Sequence, residues 1–217
     1  MVQMKVCKDH AEWLARRTHS IGGSDASCIV GMNPYKTNIE LYNEKKGIIR
    51  TEDISDKPYV IYGTKAEEYL RELFALDYPQ YEVGYLENNM FTNSKYPYAH
   101  ASLDGWLTDK ETGKKGILEI KTTEILRSMQ REKWKDRLPD NYYIQILHYL
   151  MVTEYDFVIL KAQLKTTFED DVYLQTKHYH IDRVDVEDDI QYLAEKELQF
   201  YECLKNGKEP NMVLPNF

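Results

Sequence analysis

The sequence predicts an α/β fold, and three observations support this prediction. Residues 101–123 have the pattern of a β-hairpin, with two strand-like arms around a polar, glycine-containing run. Residues 58–78 carry apolar side chains at helical spacing. Residues 155–166 and 172–181 have the pattern of two further strands around an acidic turn. The 217 residues contain no internal repeat or linker, so we expect one domain over residues 1–217.

Composition narrows the class of protein without identifying it. The formal net charge of −8 disfavours non-specific coating of nucleic acid, although it is compatible with a local basic groove. The three cysteines are too scattered for a disulfide framework or a zinc site. We expect no membrane span and no secretion signal, so the predicted compartment is the cytoplasm.

Local signals place the other elements. A helix is predicted over residues 9–17, and Ser24 is predicted to cap a short helix that ends at Gly31. A further helix is expected over residues 38–46, and residues 90–101 are expected to be irregular. Toward the C-terminus we expect a strand at 81–86, a helix at 125–134, a helix capped by Asp140 and a long helix from the cap Asp185 to Asn206.

The hairpin brings three charged side chains together. Asp104 lies at the first arm, and Glu119 and Lys121 lie on the second. Side chains two residues apart on a strand point to the same face, so Leu118 and Ile120 turn the other way and can anchor the strand. Burying two carboxylates and an ammonium group is costly unless they bind a cation or a polar ligand.

An Asp followed by Glu-x-Lys on the next strand suits metal-dependent phosphodiester hydrolysis. Asp104, Glu119 and the backbone carbonyl of Ile120 would supply oxygen ligands to Mg²⁺, with Mn²⁺ as a possible substitute. Lys121 would hold the attacking water or offset phosphate charge. The alternative is an exposed hairpin, because charges alternate on many solvated strands.

Several blocks together resemble the PD-(D/E)xK nucleases, and among them the phage lambda exonuclease or YqaJ-like viral recombinase family. In chain order the blocks are RRTHSIGGSDAS, GTKAEEYLRELF, ASLDGW, LEIK and YYIQILHYL, which lie between about Trp13 and Tyr149. Leu103 stands where the superfamily label has Pro. The resemblance implies a restriction-endonuclease-like fold, with a central mixed β-sheet flanked by α-helices.

The resemblance also implies residue roles. Arg17 and Ser24 match positions that bind the 5′-terminal phosphate, and Glu67 matches the helix Glu that reaches the metal. Gln145 matches the residue that orients the catalytic lysine or contacts DNA. From the residues alone, Ser24 can be just a helix cap, Arg17 and Glu67 surface charges, and Gln145 a buried core residue.

Three further positions are candidate DNA contacts. Ser102 shares a face with Asp104 and can touch a phosphate. Arg127 and Arg131 belong to a basic cluster after the hairpin, which is either a solvated face or a surface for the duplex backbone. His100 and His148 are interpreted as packed core residues.

The activity implied is a magnesium-dependent 5′-to-3′ exonuclease that degrades one strand of linear double-stranded DNA to 5′-mononucleotides and leaves a 3′ overhang. Similar proteins work with a single-strand annealing protein, and several form ring trimers. Two alternatives stay open: a site-specific endonuclease of the same superfamily, and a non-catalytic DNA-binding protein on this scaffold.

Overall fold

The computed structural model describes residues 1–50 and 52–214. Its helices are α1 (His10–Thr18), α2 (Gly23–Ile29), α3 (Asn38–Lys45), α4 (Pro58–Asp77), α5 (Ser128–Glu132), α6 (Asp140–Thr153) and α7 (Glu187–Asn206). Its strands are β1 (Val2–Val6), β2 (Tyr81–Gly84), β3 (Asn89–Asn93), β4 (Tyr96–Ala101), β5 (Gly105–Asp109), β6 (Lys115–Glu124), β7 (Phe157–Phe168) and β8 (Asp171–Asp182). Within these residues, no helix has both the length and the apolarity needed to cross a membrane.

The strands form two sheets. A five-stranded sheet has the order β2-β5-β6-β7-β8, in which β6 and β7 are parallel and every other neighbouring pair is antiparallel. A three-stranded antiparallel sheet has the order β1-β3-β4. The predicted central mixed sheet with flanking helices is confirmed.

Strand β6 lies at the centre of the larger sheet and has two different faces. Leu118 and Ile120 pack on one face against Leu70 and Phe74 of α4. Ile117 lies on the other face, in the larger core that includes most of α6. The alternation expected from the sequence is therefore present, and Glu119 and Lys121 lie on the α6 side.

The prediction of an irregular segment at residues 90–101 was wrong, because β3 and β4 fill it; β1 was not predicted at all. Asn89, Asn93 and Pro97 obscure the strand pattern there, since Asn and Pro are unfavourable in strands. Asn93 is nevertheless buried, and its side chain donates to the Val152 carbonyl at 3.2 Å. Partners from distant segments therefore stabilise these strands.

Three predicted caps are also wrong. Gly22, not Ser24, is the residue before α2, and the Asp25 carboxylate accepts the Gly22 N–H at 3.0 Å. Asp140 is the first residue of α6 rather than its cap. Asp185 lies in a short 3₁₀ turn before α7. In each case, another residue adopts the extended or turn backbone that precedes the helix.

The predicted helix at 125–134 is reduced to the five residues of α5. Its flanking residues contribute apolar anchors instead: Ile125 and Trp134 are both buried in the larger core. The Ile125 N–H donates to the Lys165 carbonyl at 2.7 Å, so β6-like pairing continues into the segment where a helix was expected.

The two candidate core histidines are buried as interpreted. His148 is fully enclosed, with Nδ1 2.7 Å from Glu197 Oε1 of α7 and Nε2 2.8 Å from the His100 carbonyl oxygen. Burial lowers the pKa of His100 to about 3. Neither histidine lines the cleft described below.

Lys161 of β7 is fully buried on the α4 side of the sheet, and replacing it with methionine is expected to stabilise the protein. Its ammonium group donates to the Leu70 carbonyl at 3.1 Å and lies 3.9 Å from Asp77. Burial lowers the pKa of Lys161, so folding penalises its charged form. We expect Lys161→Met to raise the free energy of unfolding by about 1 kcal/mol at neutral pH.

The pKa of Lys161 is lower in the folded protein than in the unfolded chain. The gain in unfolding free energy from Lys161→Met should therefore be full at low and neutral pH. It should shrink as the pH rises through the folded pKa toward the unfolded value of about 10.4. Urea unfolding at several pH values measures it, with the half-buried Lys165→Met on the same strand as the control. A loss of stability in Lys161→Met at neutral pH would contradict the argument.

Candidate active site

An open cleft of about 380 Å³ lies where the end of the hairpin meets α1, α2, α4 and α6. The structure brings eight of the ten residues predicted for side-chain roles to its walls: Arg17, Ser24, Glu67, Ser102, Asp104, Glu119, Lys121 and Gln145. The two absent from the walls are Arg127 and Arg131. Residues separated by more than one hundred positions in the chain therefore face one space.

Asp104 lies between the end of β4 and the start of β5. Hydrogen bonds from β6 and from α4 restrain it. Its Oδ2 accepts the Ile120 N–H at 2.8 Å. Its carbonyl oxygen accepts a hydrogen bond from Arg71 of α4 at 2.6 Å. The bond from Ile120 shows that the backbone N–H of this residue points toward Asp104.

Glu119 is the most enclosed carboxylate of the cleft, with 1% of the residue exposed. Its Oε1 contacts the Lys121 ammonium group and accepts from Gln145 Nε2 at 2.9 Å. Its Oε2 is buried and has no hydrogen-bond partner among the described residues. Burial, followed by the nearby negative charge of Asp104, raises the pKa of Glu119 to about 8.

Lys121 carries the compensating positive charge. Burial alone would lower its pKa, but the carboxylates of Glu119 and Asp104 outweigh burial and raise the pKa of Lys121 above its ordinary value. Its ammonium group also lies 5.4 Å from the centre of the Tyr142 ring. Lys121 is therefore held as a fixed cation beside the two carboxylates.

Glu67 reaches the cleft from α4, as predicted, but it is already paired. Arg71, one turn later, donates to its carboxylate at 3.2 Å and stacks over the Tyr85 ring at 3.6 Å. Burial, and then the charge of Asp104, raise the pKa of Glu67 to about 7. The neighbouring Glu68 is exposed and does not line the cleft, because consecutive residues of α4 point in different directions.

Gln145, for which the resemblance implied a contact with the catalytic lysine or with DNA, contacts Glu119 and Tyr149. Its Nε2 donates to Glu119 Oε1 at 2.9 Å and to the Tyr149 hydroxyl at 2.7 Å. It thus restrains the carboxylate rather than Lys121 directly. Gly23 of α2 lies so close to this pair that a Cβ there would be 2.5 Å from the Tyr149 ring.

A second group of residues forms the wall beside α1. The Arg17 guanidinium lies 4.2 Å from the centre of the Trp13 ring, and Trp13 Nε1 donates to Ser102 Oγ at 3.0 Å. Lys45 of α3 donates to the Arg17 carbonyl at 2.9 Å, which restrains the end of α1. Ser24 is exposed within α2 and presents its side chain to the cleft.

Arg127 and Arg131 of the basic cluster lie outside the walls of the cleft. Arg127 is an exposed residue immediately before α5. Arg131 donates to Thr166 Oγ1 at 2.9 Å and lines a different, smaller cavity.

The carboxylate oxygens of the cleft are the kind of donor that suits a hard divalent cation. Within residues 1–50 and 52–214, no group of three or more His, Cys, Asp or Glu side chains is arranged to hold a metal ion. Asp104 and Glu119, with the carbonyl of Ile120, are the oxygen donors predicted to bind directly, and Glu67 lines the same cleft with its Oε1 bound by Arg71. The unpartnered, buried Glu119 Oε2 is the observation that fits a bound cation.

Several residues of the site were missed from the sequence: Trp13, Tyr85, Asn89 and Tyr149 line the cleft, and Arg71 binds Glu67 and the Asp104 carbonyl beside it. Arg71 and Tyr149 each lie four residues after a predicted site residue on the same helix, and this spacing could have indicated them. Trp13 and Asn89 act through contacts with remote segments, for which the local sequence carries no signal.

Comparisons with solved structures support the fold. The alkaline exonuclease LHK-Exo from Laribacter hongkongensis superposes with a TM-score of 0.68 at 17% identity, over 91% of this chain and 93% of that one. LHK-Exo in complex with dAMP gives a TM-score of 0.64 at 16% identity, over 90% and 95% of the two chains. At this level of identity the likeness establishes the restriction-endonuclease-like fold.

Sequence comparison identifies the family. The chain is 31% identical over 142 residues to the uncharacterized protein YqaJ of Bacillus subtilis (strain 168), which covers 65% of this chain and 41% of that protein. This chain thus matches less than half the length of that relative. Residues 12–156, which include the hairpin, α4 and most of the cleft, match the YqaJ-like viral recombinase domain. The chain therefore belongs to the YqaJ-like viral recombinase domain family.

Proposed function

We propose that this chain is a divalent-metal-dependent exonuclease acting on linear double-stranded DNA. It degrades one strand in the 5′-to-3′ direction, releases 5′-mononucleotides and leaves a 3′ overhang. The observation that carries the proposal is Glu119, a buried carboxylate with one unpartnered oxygen, beside Lys121 and near Asp104. This combination is unfavourable for a purely structural site and suits phosphodiester hydrolysis.

The proposed cofactor is Mg²⁺, with Mn²⁺ able to substitute. When bound, the ion neutralises charge on the scissile phosphate and lowers the pKa of a bound water. Asp104, Glu119 and the Ile120 carbonyl would hold it, and Glu67 would act through water or a second ion. Lys121 orients the attacking water or offsets phosphate charge, and Gln145 keeps the Glu119 carboxylate in place.

The DNA end is proposed to enter beside α1. Arg17 would bind the 5′-terminal phosphate through its forked guanidinium, which is steadied by the Trp13 ring. Ser24 and Ser102 would add hydroxyl contacts to phosphate oxygens. The exonuclease LHK-Exo is a solved relative by fold, and its complex with dAMP, a mononucleotide, is compatible with mononucleotide release.

The proposals about assembly and partners rest on the family resemblance and not on a contact in this chain. We propose one nuclease domain that works in the cytoplasm with a single-strand annealing protein. We further propose a homo-oligomer, as a ring trimer around DNA. A net charge of −8 is compatible with an acidic exterior around a basic channel.

The decisive experiment compares linear duplex with closed circular duplex, each with Mg²⁺ and with chelator. We expect magnesium-dependent loss of the linear DNA and survival of the circle. Cleavage of the circle would favour a site-specific endonuclease. Binding of DNA without magnesium-dependent loss of either substrate would favour a non-catalytic DNA-binding protein and would overturn the proposal.

Arg17→Ala is expected to remove the preference for 5′-phosphorylated ends. A charge-assisted contact to phosphate contributes about 1.5–3 kcal/mol, so the rate on 5′-phosphate ends should fall about 10- to 100-fold. The rate on 5′-hydroxyl ends should change little, because those ends lack the group that Arg17 binds. Initial rates on the two linear duplexes measure the effect.

The control is Arg16→Ala, which changes the adjacent arginine. Arg16 is exposed and paired with Glu12 on the outer face of α1. It should retain the wild-type ratio of the two rates. Equal rates of wild-type protein on both ends would contradict the phosphate role of Arg17 and Ser24 without affecting the metal site.

A further inference from the structure

Asn89 lies at the first position of β3, opposite the point where the chain leaves β4 for the catalytic hairpin. The pairing of β3 with β4 matches Phe91 with Ala101, so continuation of this register would place Asn89 opposite Leu103. Strand β4 ends at Ala101, however, and Leu103 lies outside the sheet. The backbone pairing of β4 therefore stops at Ala101, three residues before Asp104.

The Asn89 side chain binds the backbone N–H and carbonyl of Leu103, which strand pairing leaves unbound. Its Oδ1 accepts the Leu103 N–H at 2.9 Å, and its Nδ2 donates to the Leu103 carbonyl at 2.9 Å. The second hydrogen of Nδ2 donates to the Leu86 carbonyl, also at 2.9 Å. Both hydrogens of this buried amide are used, which specifies its orientation.

The backbone of Asn89 is bound by β1 and by α1. Pairing of β1 with β3 places Asn89 opposite Val6, and the Asn89 carbonyl accepts from Trp13 Nε1 at 3.3 Å. Trp13 also carries the stacked Arg17 guanidinium. Asn89 thus connects the wall that holds Arg17 with the backbone next to Asp104.

Leu103 is the position at which this chain departs from the PD label. A proline there has no N–H, so it could not donate to Asn89 Oδ1. With leucine, both backbone groups of residue 103 are bound, and Arg71 binds the carbonyl of the next residue at 2.6 Å. The backbone of Asp104 is therefore held from two directions, and its carboxylate is left to reach the Ile120 N–H.

We propose that Asn89 is a positioning residue that sets the place of the Asp104 carboxylate and thereby the affinity of the cleft for its divalent cation. The inference rests on the proposed metal site. Outer residues that orient a metal ligand contribute about 10- to 100-fold to metal affinity. Asn89 acts through the Leu103 backbone and is not itself a proposed ligand of the cation.

The chain contains a matched control for the test. Asn38 is also buried, donates through Nδ2 to the Asn211 carbonyl at 2.8 Å and accepts the Val213 N–H at 3.0 Å. It makes the same kind of double contact with backbone, but it lines a different cavity, far along the chain from the hairpin. Asn89→Leu leaves three backbone groups without the side-chain partner and Asn38→Leu leaves two, so both should lower the melting temperature.

The readout is Mn²⁺ binding by DNA-free protein, followed by electron paramagnetic resonance, alongside the Mg²⁺ dependence of DNA cleavage. We expect Asn89→Leu to weaken Mn²⁺ binding about 10- to 100-fold and to raise the Mg²⁺ needed for half-maximal rate equally. Asn38→Leu should bind Mn²⁺ as the wild type does. A milder variant replaces the Leu103 amide N–H with an ester oxygen, which removes one donor and keeps every side chain; it should weaken binding in the same direction.

Unchanged Mn²⁺ affinity in the ester variant, or in a folded Asn89→Leu protein, would overturn the role of Asn89 and leave the proposed nuclease intact. Equal weakening in Asn38→Leu would also overturn it, because the effect would then be one of general stability. Absence of Mn²⁺ binding by the wild type would instead overturn the proposed metal site on which the inference rests.

Discussion

Replacing Glu119 with glutamine is expected to reduce DNA cleavage on the order of 10³-fold, because it removes one of the two carboxylates available to the cation. Loss of a single preorganised electrostatic contact at a reacting group typically costs about 10²- to 10³-fold. Here the same change also removes the charge that pairs with Lys121. Glutamine keeps an oxygen for Gln145 to donate to, so the packing of the cleft should survive.

Cleavage of linear duplex in Mg²⁺, with a melting curve for each protein, measures this effect. The matched control is Glu124→Gln, which changes an exposed carboxylate on the same strand and should retain wild-type activity. A folded Glu119→Gln protein that cleaves at the wild-type rate would exclude the hairpin as the catalytic site.

Replacing Gly23 with alanine is expected to destabilise the protein and to impair cleavage at the same time. In an ordinary helix, this change stabilises by up to about 1 kcal/mol. At Gly23 the added Cβ would be 2.5 Å from the Tyr149 ring and 3.0 Å from Gln145 Cγ. Overpacking of this kind costs about 1–3 kcal/mol, so we expect a net loss in the free energy of unfolding.

Activity should fall because Tyr149 and Gln145 must move, and Gln145 holds Glu119. The control is the same change in a Tyr149→Ala background, where the ring that clashes is absent. Urea unfolding of the four proteins should then show a smaller cost for Gly23→Ala in that background. Equal costs in the two backgrounds would contradict the close-packing explanation.

The charged hairpin could be predicted from the sequence because its signal is local. Alternation along β6 places Glu119 and Lys121 on one face and Leu118 and Ile120 on the other, whatever the rest of the chain does. Helical spacing likewise predicted α4, and the family resemblance selected Glu67 on it. The family resemblance, which rests on the order of the motifs, predicted that Arg17 and Ser24 belong to the same site, and both line the cleft.

The tertiary structure alone decided which partners these side chains have. Gln145 binds Glu119 and Tyr149 because α6 crosses β6 at that position. Arg131 turns to Thr166 because the segment after β6 forms only the short α5. No pattern within either segment contains this information, since it depends on the direction of another segment.

The sequence by itself therefore determined which charged side chains the proposed site contains: two carboxylates, a lysine and an arginine. Only the tertiary structure decided how those side chains are held. Strand β1 is only five residues long and mostly exposed, and β3 begins and ends with asparagine; they form where they pair with each other. Through Asn89, that pairing reaches the backbone beside Asp104, since a side-chain hydrogen bond depends on spatial proximity rather than on distance along the chain.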